Sequence, residues 1–226
     1  LAGCFTVATK HWPGRNIQKE KQYLLTKTNA NNMLRKILKW TGLVLLFLVA
    51  GTAIATAFRQ HLTYQAPYPA VKASSDTTLI KKGKNIALVT KGCVHCHSPI
   101  NNVDSLLKAG IEPPLAGAKK FETPFGIFYT PNITPDRHNG IGKMTDGEIA
   151  RLIRYGVKSN GEASLPFMQG LDMSDEDMAA LLSYLRSLDP VENKPPDNEF
   201  SIAGRLAKAF VVKPWQPTSE PKLASK

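Results

Sequence analysis

The chain has 226 residues, 42% of them hydrophobic, a formal net charge of +11 and three cysteines, which bounds it to one or two domains. Residues 1–58 carry eight Lys/Arg against the single acid Glu20, so +7 of that charge sits there and +4 on everything after. The remainder is ordinary for a globular domain, and no basic stripe is interleaved with aromatics, which argues against a nucleic-acid partner.

Residues 1–32 are polar and basic, show no helical or strand periodicity, and are expected to be an unstructured lead. Leu1-Ala2-Gly3-Cys4 has the form of a lipoprotein processing box without the apolar segment that should come before it. Met33-Leu34-Arg35-Lys36 looks like a normal n-region, which makes Met33 a candidate start. From Trp40 to Phe58 run 19 residues without a charge, close to the 20 or so that span a bilayer core. Arg35, Lys36 and Lys39 before it favour an N-terminus in the cytoplasm. Residues 33–59 are therefore expected to be an anchor. Ala53-Ile54-Ala55 and Ala55-Thr56-Ala57 fit a cleavage site, so a removed signal peptide is the competing reading. With either, the chain beyond residue 59 lies outside the cytoplasm, in a bacterium the periplasm. Residues 60–76, with Pro67, Pro69, Ser74 and Ser75, read as a linker.

Residues 77–190 read as one domain. Leu79, Ile80, Gly83, Ile86, Ala87 and Thr90 recur at three and four, predicting a helix over 77–91 that Gly92 stops. Gly83 inside it costs about 1 kcal/mol against Ala, which makes sense if another helix crosses there; an incidental glycine is the alternative.

Cys93-Val94-His95-Cys96-His97 reads C-x-x-C-H, the attachment signature of c-type haem. Each thiol can form a thioether to a vinyl group, and the His directly after the second Cys is then held beneath the iron. A zinc site would need a second ligand pair, which the sequence lacks, Cys4 being the remaining Cys. A dithiol redox pair would need a βαβ context, and the surroundings read as helix and loop.

Pro113-Pro114-Leu115-Ala116-Gly117 forms a loop. Residues 121–143 hold three prolines and three glycines, which forbid a helix; their aromatics suggest a haem-covering loop with a short hairpin. Thr145-Asp146-Gly147-Glu148 is a capping box opening a helix to about Tyr155, with Gly156 as its stop. Ser174-Asp175-Glu176-Asp177 opens another that runs to about Leu188, with Tyr184 on the side that can meet the first helix. Between them, Met168 in Leu165-Pro166-Phe167-Met168 lies where the chain returns to the haem, and is the expected sixth ligand. Met173 and Met144 sit just before caps, where an apolar staple is the ordinary role, and Met178 reads as core. Residues 191–226 are Pro-rich, and Ile202, Leu206, Phe210 and Val211 among Arg205, Lys208 and Lys213 suggest either a basic amphipathic helix or a strap on the domain.

Together these stretches resemble membrane-associated mono-haem cytochromes c of class I type, and more closely the haem modules of bacterial alcohol- and gluconate-dehydrogenase cytochrome c subunits. The residues that carry the likeness are Gly92 to His97, Thr123-Pro124-Phe125-Gly126-Ile127-Phe128-Tyr129-Thr130-Pro131-Asn132-Ile133-Thr134-Pro135-Asp136, Gly140-Ile141-Gly142, Arg154-Tyr155-Gly156-Val157 and Met173 to Asp177. The resemblance implies an all-α cytochrome c fold with crossing N- and C-terminal helices and His/Met ligation. By similarity to the Pro-Leu-x-Gly loop of small cytochromes c, the Pro114 carbonyl is expected to fix the His97 ring, with Leu115 on the haem. Those subunits carry three haem motifs where this chain has one, and often Pro after the ligand Met where this chain has Gln169.

The expected function is a single-electron carrier with one covalent haem c and no catalysis of its own. Its partners would be a dehydrogenase, a quinol-oxidising complex or a terminal oxidase. The alternative is a haem-based ligand sensor.

Overall fold

The computed structural model describes residues 17–168 and 171–215, so Cys4 and Gln169 lie outside the described residues. The chain falls into two units that part after Ala53. The described residues of the first belong to helix α1 (Ile17–Arg59), the one helix among the described residues long and apolar enough to cross a membrane. Leu43, Val44, Leu45, Leu46, Phe47, Leu48 and Val49 are all exposed along it. The sequence suggests an unstructured lead through residue 32, whereas the helix begins at Ile17. Residues 17–32 lack Gly and Pro, and elongating a helix already nucleated by the apolar run costs far less than starting one.

The second unit is the folded domain. Helix α2 (Thr77–Asn85) is capped by Asp76, whose carboxylate accepts from Thr78 N at 2.7 Å. It continues as a π-helical turn over Ile86–Thr90, which buries Ile86, Ala87 and Leu88. Gly92, at φ 61°, ends the run as predicted and starts the short helix α3 (Cys93–His97). Then come α4 (Val103–Lys108), the hairpin strands β1 (Lys120–Thr123) and β2 (Gly126–Tyr129), and α5 (Asp146–Tyr155). A 3-10 turn over Pro166–Met168, α6 (Asp175–Ser187), β3 (Glu199–Phe200) and α7 (Ile202–Phe210) complete the order.

The core is the crossing of α2 and α6. At Gly83 the backbones meet so closely that a Cβ there would lie 1.9 Å from the Ala180 carbonyl oxygen and 2.9 Å from Tyr184 Cβ. That close approach, rather than chance, is the reason for a glycine at mid-helix. Met178, Leu181, Leu182 and Leu185 of α6 pack with Ile149 and Ile153 of α5 and with Ala87 and Val94 in one buried cluster. The expected capping box is present: Thr145 Oγ1 accepts from Glu148 N while Glu148 accepts from Thr145 N.

Two expectations about the periphery change. The fold is helical in the main but not purely so, because β1, β2 and β3 form a small antiparallel sheet in that order. Residues 60–76 are no free linker: Tyr64 N donates to Gly161 O, Ala73 N to Asp146 and Ser74 N to Ser183 Oγ, and Val71 is buried. Their polar backbone finds acceptors on the domain, and the prolines merely keep the segment extended. Residues 191–215 are likewise bonded to the domain: Val191 N donates to Thr134 Oγ1, Asn193 Nδ2 to Ala116 O and Trp215 N to Tyr155 O.

Candidate haem-attachment site

Helix α3 is a single turn, and its position is set from within by Val94, which is fully buried. Because Val94 points into the core, Cys93 and Cys96 are left toward the surface, half-buried and exposed respectively, both as free thiols. Burial pushes the Cys93 thiol up, so it stays protonated in the free chain. His95, between them, faces solvent and pairs through Nε2 with Asp104 Oδ1 at 3.0 Å, and Lys119 Nζ caps its carbonyl at 2.7 Å.

His97 turns the opposite way and is 1% exposed. Its Nδ1 lies 2.9 Å from the Pro131 carbonyl oxygen. A carbonyl can only accept, so Nδ1 carries the proton and Nε2 is left with its lone pair. Nε2 is buried and has no hydrogen-bond partner. Burial also holds the imidazole below its ordinary pKa, more than the Pro131 contact raises it, which keeps the ring neutral. A buried nitrogen without a partner is costly in a folded protein unless something coordinates it. The two thiols, the spacing and this nitrogen together fit a haem attached through sulfur and ligated by imidazole.

Pro131 is held from several sides. Asn132, itself buried, accepts at Oδ1 from Thr134 N (2.9 Å) and Thr134 Oγ1 (2.7 Å). Its Nδ2 donates to Val191 O (2.8 Å) and Asn193 O (3.1 Å), tying the loop to the C-terminal strap. Asn193 Nδ2 donates in turn to Ala116 O at 2.8 Å.

The expected role of Pro114 is therefore corrected. The acceptor of the His97 ring is Pro131, while the 113–117 loop serves the His97 backbone, with Gly117 N donating to His97 O at 2.7 Å. Gly117, at φ 72°, lets the two loops touch, since a Cβ there would lie 2.5 Å from Pro131 C. One loop occupies the main chain of His97 and the other reaches its ring. Leu115 is buried in the core cluster, and its carbonyl accepts from Ile133 N at 3.0 Å.

Met168 ends the 3-10 turn and is half-buried. Its neighbour Phe167 is 66% exposed and sets its ring 5.9 Å from that of Phe128 on β2. No described contact joins Met168 to His97. Among its rivals, Met144 and Met173 pack against the core and Met178 is wholly within it. The residues that sequence reasoning missed are Pro131, Asn132 and Asn193. A pattern of Asn two before Thr, flanked by prolines, is an Asx-turn signal that could have marked the first two.

Fold and site define a helical domain whose last core helix crosses the helix leading into a haem-attachment turn. Comparison with known proteins agrees. The chain is 33% identical over 159 residues to the gluconate 2-dehydrogenase cytochrome c subunit of Pantoea cypripedii, covering 65% of this chain and 34% of that one. To the cytochrome c subunit of the quinone alcohol dehydrogenase of Gluconobacter oxydans it is 28% identical over 137 residues, 58% of this chain and 26% of the other. A diheme cytochrome c-type protein of Cereibacter sphaeroides is 30% identical over 120 residues, 51% of this chain and 39% of its own. The chain thus spans about a third of the length of the curated relatives it matches. No protein-family model matches it.

Proposed function

We propose that this chain is a membrane-anchored carrier of single electrons. Cys93 and Cys96 would hold one haem c, with His97 supplying a nitrogen and Met168 a sulfur to its iron. The haem supplies the redox chemistry when bound. The observation that carries the proposal is the His97 ring, fixed by Pro131 at Nδ1 and presenting a partnerless buried Nε2 one residue after Cys96. Met168 is the sulfur in a loop rather than in the core, which favours it over Met144, Met173 and Met178.

The relatives are named as cytochrome subunits of dehydrogenases, so a dehydrogenase is the first partner to test, with a quinol-oxidising complex or a terminal oxidase as others. The length and apolar run of helix α1 support a membrane anchor, and the basic residues before that run favour the outer, periplasmic side for the domain. Expression of the full chain in a host that attaches haem tests the whole. Covalent mass for one haem, a thioether-haem spectrum and the weak far-red sulfur-to-iron band are expected. Colourless protein without added mass would end the proposal.

A further inference from the structure

Helix α7 packs on the domain with its small residues and shows its large ones to solvent. Gly204 and Ala209 are buried, and a Cβ on Gly204 would lie 1.9 Å from the Phe125 carbonyl oxygen. On the outer side Ile202, Leu206 and Phe210 follow one another at i, i+4 and i+8, which makes a single stripe. Ile202 is 82% exposed, and Val211 (73%) and Trp215 continue the apolar surface beyond the helix. Scattered exposed apolar residues need no explanation, but a stripe in helical register does.

The position of the stripe says what covers it. The last turn of α7 meets the end of α1: Arg59 Nε donates to Ala209 O at 3.3 Å and its guanidinium lies 5.2 Å from the centre of the Phe210 ring. Arg59 is the first charge after the apolar run that ends at Phe58, so the stripe leads to the residue at which a membrane-crossing segment would leave the lipid. The charges at this end are cationic in excess. Lys158 and Lys208 lie 4.0 and 3.5 Å from the one carboxylate of Glu162, with Arg59 beside them and Arg205 exposed on α7, and the His61 ring is 3.5 Å from the same carboxylate. Apolar residues on one side and Lys/Arg on the other are what an interfacial helix presents to anionic lipid, and a terminal Trp suits the headgroup level.

We propose that α7 is a second membrane contact. It lies on an anionic bilayer surface with Ile202, Leu206 and Phe210 at the acyl boundary and Arg59, Arg205 and Lys208 toward lipid phosphates. This rests on the anchored reading of α1 and adds to it a second point at which the chain meets the bilayer. Amide exchange read by mass spectrometry tests it on the full haem-loaded chain, held in amphipol, in phosphatidylcholine nanodiscs and in nanodiscs that also contain phosphatidylglycerol. Residues 202–212 should exchange about tenfold more slowly in the anionic discs than in amphipol, with neutral discs between. The double variant I202E/L206E should lose that protection with its haem spectrum unchanged. If the variant fails to fold, the three environments still decide with the wild-type chain. Equal exchange of residues 202–212 in all three, with residues 41–58 protected in the discs, overturns the proposal and leaves the stripe to a protein partner. Failure of residues 41–58 to gain protection overturns the anchor itself and this contact with it.

Discussion

The two expected iron ligands live in different kinds of structure. His97 ends a helix whose Val94 is locked in the core, its carbonyl is held by Gly117, and its ring is held by Pro131. Met168 ends a 3-10 turn next to an exposed Phe167, and among the described residues Ser164 N, at the base of that stretch, donates to Gly156 O at 2.7 Å. One ligand is held at its main chain and its ring by the protein's own groups. The other stands on a short turn and is itself half-buried, outside the core cluster. Removing a ligand from the first side should damage the protein, and removing one from the second should change its chemistry instead.

The hardest test of that contrast is His97→Ala. Haem-loaded protein should all but disappear, read as pyridine haemochrome per polypeptide, since both the ligand and the group that fits the Pro131 pocket are gone. Next, Gly83→Leu attacks the crossing that supports the His97 side. Overpacking against the Ala180 backbone should cost about 3 kcal/mol or more in denaturant unfolding, because a helix backbone cannot step aside as a side chain can. Asn132→Ala is more local. It removes the donor to Val191 and Asn193 and the acceptor for Thr134, and should cost about 2 kcal/mol.

Met168→Ala should fall below these in stability, at about 1 kcal/mol or less, yet remove the far-red band and lower the reduction potential. It should also open the reduced haem to carbon monoxide, which the wild-type protein should resist at neutral pH. Prompt carbon monoxide binding by the wild type would favour a ligand sensor. An unchanged far-red band in the variant would move the sulfur ligand elsewhere and undo the contrast.

The smallest effect is one of pH. Burial, and the nearby Glu112 carboxylate that Tyr184 Oη donates to at 3.3 Å, hold the Tyr184 phenol well above its usual 10.0. The unfolded chain loses that proton near pH 10 while the folded one keeps it, so unfolding releases a proton there and stability falls as pH rises further. Below pH 10 both states are protonated and the group adds no slope. Tyr184→Phe should flatten the alkaline side of the stability curve, measured by denaturant unfolding on either side of pH 10.

Much of the His97 side was legible in the sequence because it is written in local signals. C-x-x-C-H, the Thr145–Glu148 capping box and the Gly92 and Gly156 stops each depend on residues within one turn of each other. Gly83 was legible as a question, and only the crossing of α2 with α6 answered it. The acceptor of the His97 ring was not legible. Pro114 and Pro131 both present a carbonyl in a proline-rich loop, and the choice depends on how two loops pass each other at Gly117. The docking of residues 60–76 was hidden for a similar reason. Its anchors are backbone amides, which every sequence has, and its acceptors are side chains such as Asp146 and Ser183 on distant helices.

The bonds from Asn132 to Val191 and Asn193 have a consequence for chain length. The strap that closes behind Pro131 comes from the end of the domain and the attachment turn from near its start, so the clasp is complete only in a chain long enough to include Asn193. A chain that stopped short of Val191 would leave the acceptor of the His97 ring without its backing, even with every residue of the attachment turn present.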